Sequence, residues 1–221
     1  MIPRRFDATS TETFTERRLE MVDRQLRRRG IGDERVLRAM EEVPRELFVP
    51  ADERSRAYRD GALRIGEGQT ISQPWIVASM TALLKLEPEH RVLEVGTGSG
   101  YAAAVLSRCC REVVTIERHA PLAEGARAVL RQLGYDNVEV RTGDGSRGAP
   151  DAAPFDGISV TATANREPPA ALLEQLTEDG LLVCPVRSAA GERLTRYRRD
   201  GRAEPVVPVR FVPLVEDAGG D

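Results

Sequence analysis

The sequence predicts an α/β protein built on a doubly wound, largely parallel sheet, with an N-terminal helical cap and a C-terminal antiparallel hairpin. Three observations lead there. Short β-branched runs alternate with helical segments from Arg91 onward, the first run ends in the turn Gly96-Thr97-Gly98-Ser99-Gly100, and Asp200-Gly201 between Arg193–Arg199 and Val206–Val212 is a hairpin signal. At 221 residues, 41% hydrophobic and 30% charged, the chain can fill one core.

Taken in order, Thr11–Arg29 places Leu19, Val22 and Leu26 on one helical face, with hydroxyl residues ahead to cap it and Gly30 behind to stop it. Arg24, Arg27, Arg28 and Arg29 share that helix with Glu20 and Asp23, which reads as a solvated face rather than a binding stripe. Asp33–Glu42 is a second short helix, closed by Val43–Pro50, where Pro44 and Pro50 bracket an apolar patch. A polar stretch follows around Asp52–Asp60, and then a helix from Pro74 with Val77, Met80 and Leu84 on one face and proline at its first turn. The alternating region predicts strands at Arg91–Val95, Glu112–Ile116, Val138–Arg141, Phe155–Val160 and Leu181–Pro185. The intervening helices are Ser99–Cys109, Pro121–Leu133 and Pro169–Leu176. Arg193–Arg199 and Val206–Val212 form the closing hairpin. The expected organisation is one domain over 1–221, with a cap at 1–60, a loop and helix at 61–90, an α/β core at 91–214 and a frayed tail at 215–221.

Composition removes several functions. A net charge of −3 gives no overall attraction to a nucleic-acid backbone or an anionic membrane, so neither is expected as a partner. The longest apolar runs, such as Gly180–Val186, are far too short to span a bilayer, and the basic Met1–Phe6 has no apolar stretch behind it. A cytoplasmic monomer is the expectation. Cys109, Cys110 and Cys184 make no disulfide framework and read as reduced thiols. His90 and His119 lie at no metal-ligand spacing, so no metal is expected, and no Gly-x-Ser-x-Gly elbow accompanies them.

In an open α/β sheet, ligands sit beyond the carboxyl ends of the strands. Val92–Tyr101 is a strand that enters a glycine-rich turn and then a helix, which lets backbone approach a nucleotide. Read as Gly-x-Gly-x-x-Ala, Gly98, Gly100 and Ala103 resemble a dinucleotide fingerprint. Read as Gly-x-Gly-x-Gly, Gly96, Gly98 and Gly100 suit S-adenosyl-L-methionine better. Glu117, at the end of the second strand, can accept both hydroxyls of a ribose, which fits either cofactor. Asp144, between Gly143 and Gly145 at the end of the third, can accept from an adenine amino group, which favours S-adenosyl-L-methionine.

Gly68-Gln69-Thr70-Ile71-Ser72-Gln73-Pro74, together with Val92–Tyr101, Gly143–Gly145 and Phe211–Leu214, resembles the protein-L-isoaspartate O-methyltransferase family. Val43–Pro50, Phe155-Asp156 and Leu172–Leu176 are similar to it as well, so the resemblance runs from about Arg24 to Leu214. It implies a Rossmann-like methyltransferase sheet and transfer of a methyl group from S-adenosyl-L-methionine to the free α-carboxylate of L-isoaspartyl residues in damaged proteins or peptides. S-Adenosyl-L-homocysteine is the other product, and the ester closes to a succinimide that opens in part to aspartate. By the same resemblance Ser72 is the active-site hydroxyl, and Thr70, Ile71, Gln73, Val212 and Pro213 contact substrate. Gln69, Glu94, Gly96, Thr97, Gly98, Ser99, Gly100, Glu117, Arg118, Asp144, Gly145 and Thr161 hold the cofactor.

The chemistry agrees with what the sequence lacks. A carboxylate with a pKa near 4 is already ionised at neutral pH, so its attack on a sulfonium methyl needs no general base and no catalytic histidine. The protein has to supply in-line positioning, and a Ser72 hydroxyl can donate to one carboxylate oxygen while the other attacks. A substrate defined by a backbone defect calls for extended-peptide contacts. Thr161–Arg166 departs from the family pattern, with Asn165 and Arg166 where small apolar residues are usual. One rival is a relative that methylates a normal aspartate in a dedicated ribosomal precursor peptide to install an aspartimide. Another is an NAD-dependent oxidoreductase, which leaves Thr70–Pro74 and the Asp144 turn unexplained.

Overall fold

The computed structural model describes residues 8–189 and 191–215, so the expected fraying of 216–221 lies outside the described residues. Helix α1 (Ala8–Met21) passes into one wider π turn at Val22–Leu26 and a tighter 3-10 turn at Arg27–Arg29. Gly30 ends it at φ +91°. Helix α2 (Glu34–Glu42) begins at Asp33, whose carboxylate accepts from the Arg35 and Val36 amides.

Between the cap and the next helix the structure differs from the expectation of plain polar loop. Strands β1 (Leu63–Gly66) and β2 (Gln69–Ile71) pair antiparallel, Leu63 opposite Ile71 and Arg64 opposite Thr70. The connection turns through Glu67 at φ +49° and Gly68 at φ +69°, the backbone sense that matches strand twist in a two-residue hairpin. Helix α3 (Pro74–Leu83) follows with proline in its first turn.

The parallel region then runs β3 (Arg91–Val95), α4 (Tyr101–Ser107), β4 (Glu112–Glu117), α5 (Ala120–Gln132), β5 (Val138–Thr142), β6 (Phe155–Val160), a short β7 (Ala164–Asn165) and α6 (Ala170–Glu174). It ends in β8 (Leu176–Ser188), β9 (Gly191–Arg198) and β10 (Ala203–Pro208). The large sheet has the order β10-β9-β8-β6-β3-β4-β5, with β7 beside β8. Strands β3, β4, β5, β6 and β8 are mutually parallel, and β9 and β10 close the edge antiparallel.

Several boundaries moved, three of them for a reason the structure shows. Helix α4 starts at Tyr101 rather than Ser99, because Gly100 adopts φ +87° and the preceding residues are spent on the turn. Leu176 belongs to β8, not to the preceding helix, since it pairs with Phe155, and β8 is drawn out to thirteen residues by partners on both sides. The last strand is Ala203–Pro208, not Val206–Val212: Ala203 lies opposite Tyr197, and residues 209–215 leave the ladder. Pro205 and Pro208 donate no amide, which an edge strand tolerates.

Neighbouring residues on a strand face opposite ways, and here both faces are buried. Val92 and Val113 pack with Leu26, Met40 and Leu106 on one side, whereas Leu93 and Val114 pack with Phe155, Ile158 and Leu172 on the other. The chain leaves β3 toward β4 and β5 and returns to the other side at β6. Val95 therefore sits between Ile116 and Val160 at the carboxyl edge, the switch point where a ligand crevice opens.

Asp33→Ala removes the acceptor for two amides at the start of α2 and is expected to cost about 1 kcal/mol. Urea unfolding followed by circular dichroism measures it, and an unchanged midpoint would show that the cap carries no such weight.

Candidate functional site

One cleft at that switch point collects fourteen of the eighteen site residues expected from sequence. Gln69, Thr70, Ile71 and Ser72 come from the hairpin and its exit, and Gly96, Thr97, Gly98 and Ser99 from the turn after β3. Glu117 and Arg118 follow β4, Gly145 follows β5, Thr161 follows β6, and Val212 and Pro213 come from the segment after β10.

The floor is the glycine turn. Gly96 sits at φ +95°, and a Cβ there would meet Thr161 Oγ1 at 2.2 Å. That hydroxyl occupies the space, 2.8 Å from the Gly96 carbonyl and 3.0 Å from the Val95 carbonyl. From the other side Glu117, 5% exposed, accepts from the Gly98 amide through Oε2 at 2.8 Å and from the His119 amide through Oε1 at 3.0 Å. Each carboxylate oxygen keeps further lone-pair capacity toward the cleft.

Four expected residues lie off the lining. Glu94 is wholly buried in β3, beneath the turn: Thr115 donates to its Oε2 at 2.6 Å, and the Thr97 hydroxyl lies 2.6 Å from that of Thr115. Its Oε1 has no partner, and burial pushes the carboxyl up to about 8, Thr115 opposing and Glu117 adding to the shift. Asp144 caps the 3-10 turn Gly145–Arg147, accepting from the Ser146 amide at 2.9 Å and the Ser146 hydroxyl at 2.7 Å. Gly100 lies under the start of α4. Gln73 turns away to donate to Asp60 at 2.5 Å.

Ser72 is half-buried in the lining, and among the described residues no protein group engages its hydroxyl. The opposite wall is residues 212–215. A parallel bridge joins Thr163 to Pro213, with the Thr163 amide donating to the Val212 carbonyl at 2.7 Å and the Leu214 amide to the Thr163 carbonyl at 2.8 Å. Arg118 Nη1 donates to the Val215 carbonyl at 2.8 Å, so Val215 is a wall residue rather than part of a tail. The departure at Asn165-Arg166 lies elsewhere: Asn165 pairs with Arg187 on β8, and the Arg166 amide donates to the Arg187 carbonyl at 3.1 Å.

Sequence reasoning passed over Tyr101, His119 and Ala162, which also line the cleft. Their signal was positional. His119 falls two residues after the acidic end of β4, Ala162 two after the end of β6, and Tyr101 directly after the glycine turn.

Comparison with known proteins follows the same lines. A family model described as protein-L-isoaspartate(D-aspartate) O-methyltransferase matches residues 16–219. A protein-L-isoaspartate O-methyltransferase from Roseiflexus castenholzii is 57% identical over 205 residues, covering 91% of this chain and 93% of that one. One from Synechococcus is 50% identical over 216 residues, covering 93% and 88%. A solved structure of that name superposes with a TM-score of 0.77 at 30% identity, covering 93% of this chain, which spans 66% of the solved one. A Plasmodium falciparum structure solved with S-adenosyl-L-homocysteine shares the fold at a TM-score of 0.78 and 24% identity. By the reach of the family model and the identity to its members, the chain belongs to the protein-L-isoaspartate O-methyltransferase family.

Proposed function

We propose that this chain methylates the free α-carboxylate of L-isoaspartyl residues in damaged proteins and peptides, the first step of a repair that proceeds through a succinimide. The observation that carries this reading is the unengaged Ser72 hydroxyl, held in the same cleft as a glycine turn and a ribose-type acceptor. S-Adenosyl-L-methionine, when bound, supplies an electrophilic methyl group and is converted to S-adenosyl-L-homocysteine. The residues fit such a ligand: a backbone cradle in which Gly96 has no room for a side chain, and Glu117 with acceptor capacity to spare.

Gly96–Gly100, with Gln69, Glu117, Arg118, Gly145 and Thr161 around them, form the cofactor side in this reading. Asp144 acts by shaping the Gly145 turn, and Glu94 by propping the turn from below through Thr115 and Thr97. Ser72 donates to one oxygen of the substrate carboxylate and leaves the other to attack in line. Thr70 and Ile71 offer strand edge to an extended peptide, Gln73 holds the exit of the hairpin against Asp60, and Val212 and Pro213 face them across the cleft. No helix among the described residues is long and apolar enough to cross a membrane. Three buried free thiols suit a reducing compartment, and a cytoplasmic monomer belongs to this reading.

The reaction is tested with labelled cofactor and two otherwise identical peptides, one with L-isoaspartate and one with L-aspartate, by counting base-labile methyl ester. Ester confined to the isoaspartyl peptide is expected, whereas ester on the normal aspartate would transfer the reading to a dedicated peptide substrate.

Ser72→Ala removes a charge-assisted donor of about 1.5–3 kcal/mol, so turnover should fall roughly 10- to 100-fold with cofactor affinity unchanged. Gly96→Ala, forced against Thr161, should instead weaken cofactor binding in calorimetric titration. Equal loss of cofactor affinity in both variants would remove Ser72 from the substrate side.

Glu94 adds a pH signature. With its folded carboxyl raised from an ordinary 4.5 to about 8, the folded chain keeps a proton that the unfolded chain has released between those values. Stability therefore falls as pH rises through that window. Melting curves of Glu94→Gln should show a smaller loss between pH 5 and pH 8 than the parent, and identical losses would mean that Glu94 is ionised in the fold.

A further inference from the structure

Arg45 is among the largest fully buried side chains of the described residues, and it does not line the cleft. It sits in the Val43–Pro50 segment of the cap, 0% exposed, and among the described residues no carboxylate pairs with it. Its Nε donates to the Ala57 carbonyl at 2.7 Å and its Nη2 to the Ser72 carbonyl at 2.8 Å, while Nη1 is buried without a partner. The guanidinium carbon lies 4.8 Å from the centroid of the Tyr101 ring. A buried cation with no counter-charge and an unmet donor is a poor device for stability, since a well-packed apolar side chain would avoid the desolvation.

The positions of its partners suggest another use. Ser72 lies between the end of β2 at Ile71 and the start of α3 at Pro74, outside both. The first amides of α3 to find a partner, Ile76 and Val77, take the Gln73 carbonyl, leaving that of Ser72 to Arg45. Tyr101, under the guanidinium, is the first residue of α4 and lines the cleft beside the glycine turn. Arg45 thus spans from the peptide that carries the Ser72 side chain to the helix that begins at the cofactor turn. Gln73 is held independently, through Asp60, which accepts from Arg29 at 3.0 Å.

We propose that Arg45 is a positioning residue for methyl transfer: its buried guanidinium fixes the Ser72 peptide relative to α4 and so aims the Ser72 hydroxyl into the cleft. The proposal rests on the reading of Ser72 as the donor to the substrate carboxylate. A rigid donor helps turnover only if its angle is held, and a flat guanidinium anchored on two carbonyls and stacked on a ring holds an angle that a single bond does not.

The test is a double-mutant cycle on the full chain, with Arg45→Met and Arg45→Lys made alone and on Ser72→Ala, reading kcat, KM for an isoaspartyl peptide, cofactor Kd and Tm. Arg45→Met is expected to lower kcat about tenfold with cofactor Kd unchanged, and Arg45→Lys, which can still reach one carbonyl, to recover part of it. On Ser72→Ala the Arg45 substitutions should cost no further kcat, because the group they aim is gone. An unchanged kcat in Arg45→Met, or the same fold-loss on both backgrounds, overturns the proposal, as does a parallel loss of cofactor affinity. If Arg45→Met does not fold, Arg45→Lys decides by the same criteria. Ser72→Ala without effect on kcat would sink the donor reading itself, a result distinguishable from failure of Arg45 alone.

Discussion

The contact between Thr161 and Gly96 is the constraint around which the cleft is arranged. Parallel strands β3 and β6 lie side by side, and the residue after β6 must find space against the turn after β3. It does so because Gly96 has no Cβ; the Thr161 amide donates to the Val95 carbonyl, and the Thr161 hydroxyl, with one proton to give, lies within reach of the Gly96 and Val95 carbonyls. Glu117 closes the same turn from the β4 side. Three adjacent strand ends thus hold one loop, and the loop's amides and the cleft above it follow from that bracing rather than from any single motif.

The Ser72 side of the cleft is assembled differently. Ser72 belongs to no regular element, and its surroundings come from the cap, the hairpin and α3. The facing wall, residues 212–215, is tied to Thr163 by backbone bonds and to Arg118 by a side chain, and Phe211 and Thr163 both donate to Glu192. Regular sheet registers the glycine-turn end of the cleft, and individual hydrogen bonds from distant parts of the chain register the Ser72 end. Catalysis by positioning asks for that division, since a nucleophile that arrives ionised needs geometry more than proton transfer.

Much of this was legible from residues alone. β-Branched runs buried on both faces have a simple local signature, and β3, β4, β5 and β6 were placed within a residue, whereas β8 runs from Leu176 to Ser188 rather than Leu181 to Pro185. Glu117 was found because an acidic side chain at a strand end has a position in the chain as well as a chemistry. The β1–β2 hairpin, Leu63 to Ile71, was missed because its short strands looked like polar loop, although Glu67-Gly68 between two isoleucines was a usable turn signal. The edge strand was misplaced because apolar content continues past Pro208 into the cleft wall, and composition does not distinguish a strand paired to β9 from a segment bridged to Thr163.

What the sequence determined by itself was the order of the parallel strands and their helices and the position of the glycine turn, because each depends on residue types within a few positions of one another; Ser72 was marked by resemblance to a family. Only the tertiary structure decided that Asp144 and Glu94 work from behind the lining, that Val215 belongs to the wall, and that a buried arginine from the cap reaches the carbonyl of Ser72. Glu94 and Thr115, Arg118 and Val215, and Arg45 and Ser72 are each twenty or more positions apart, and Asp144 turns to a near neighbour, Ser146, rather than into the cleft. Such relations are set by packing and by which buried polar group finds a partner, and local pattern carries no record of either.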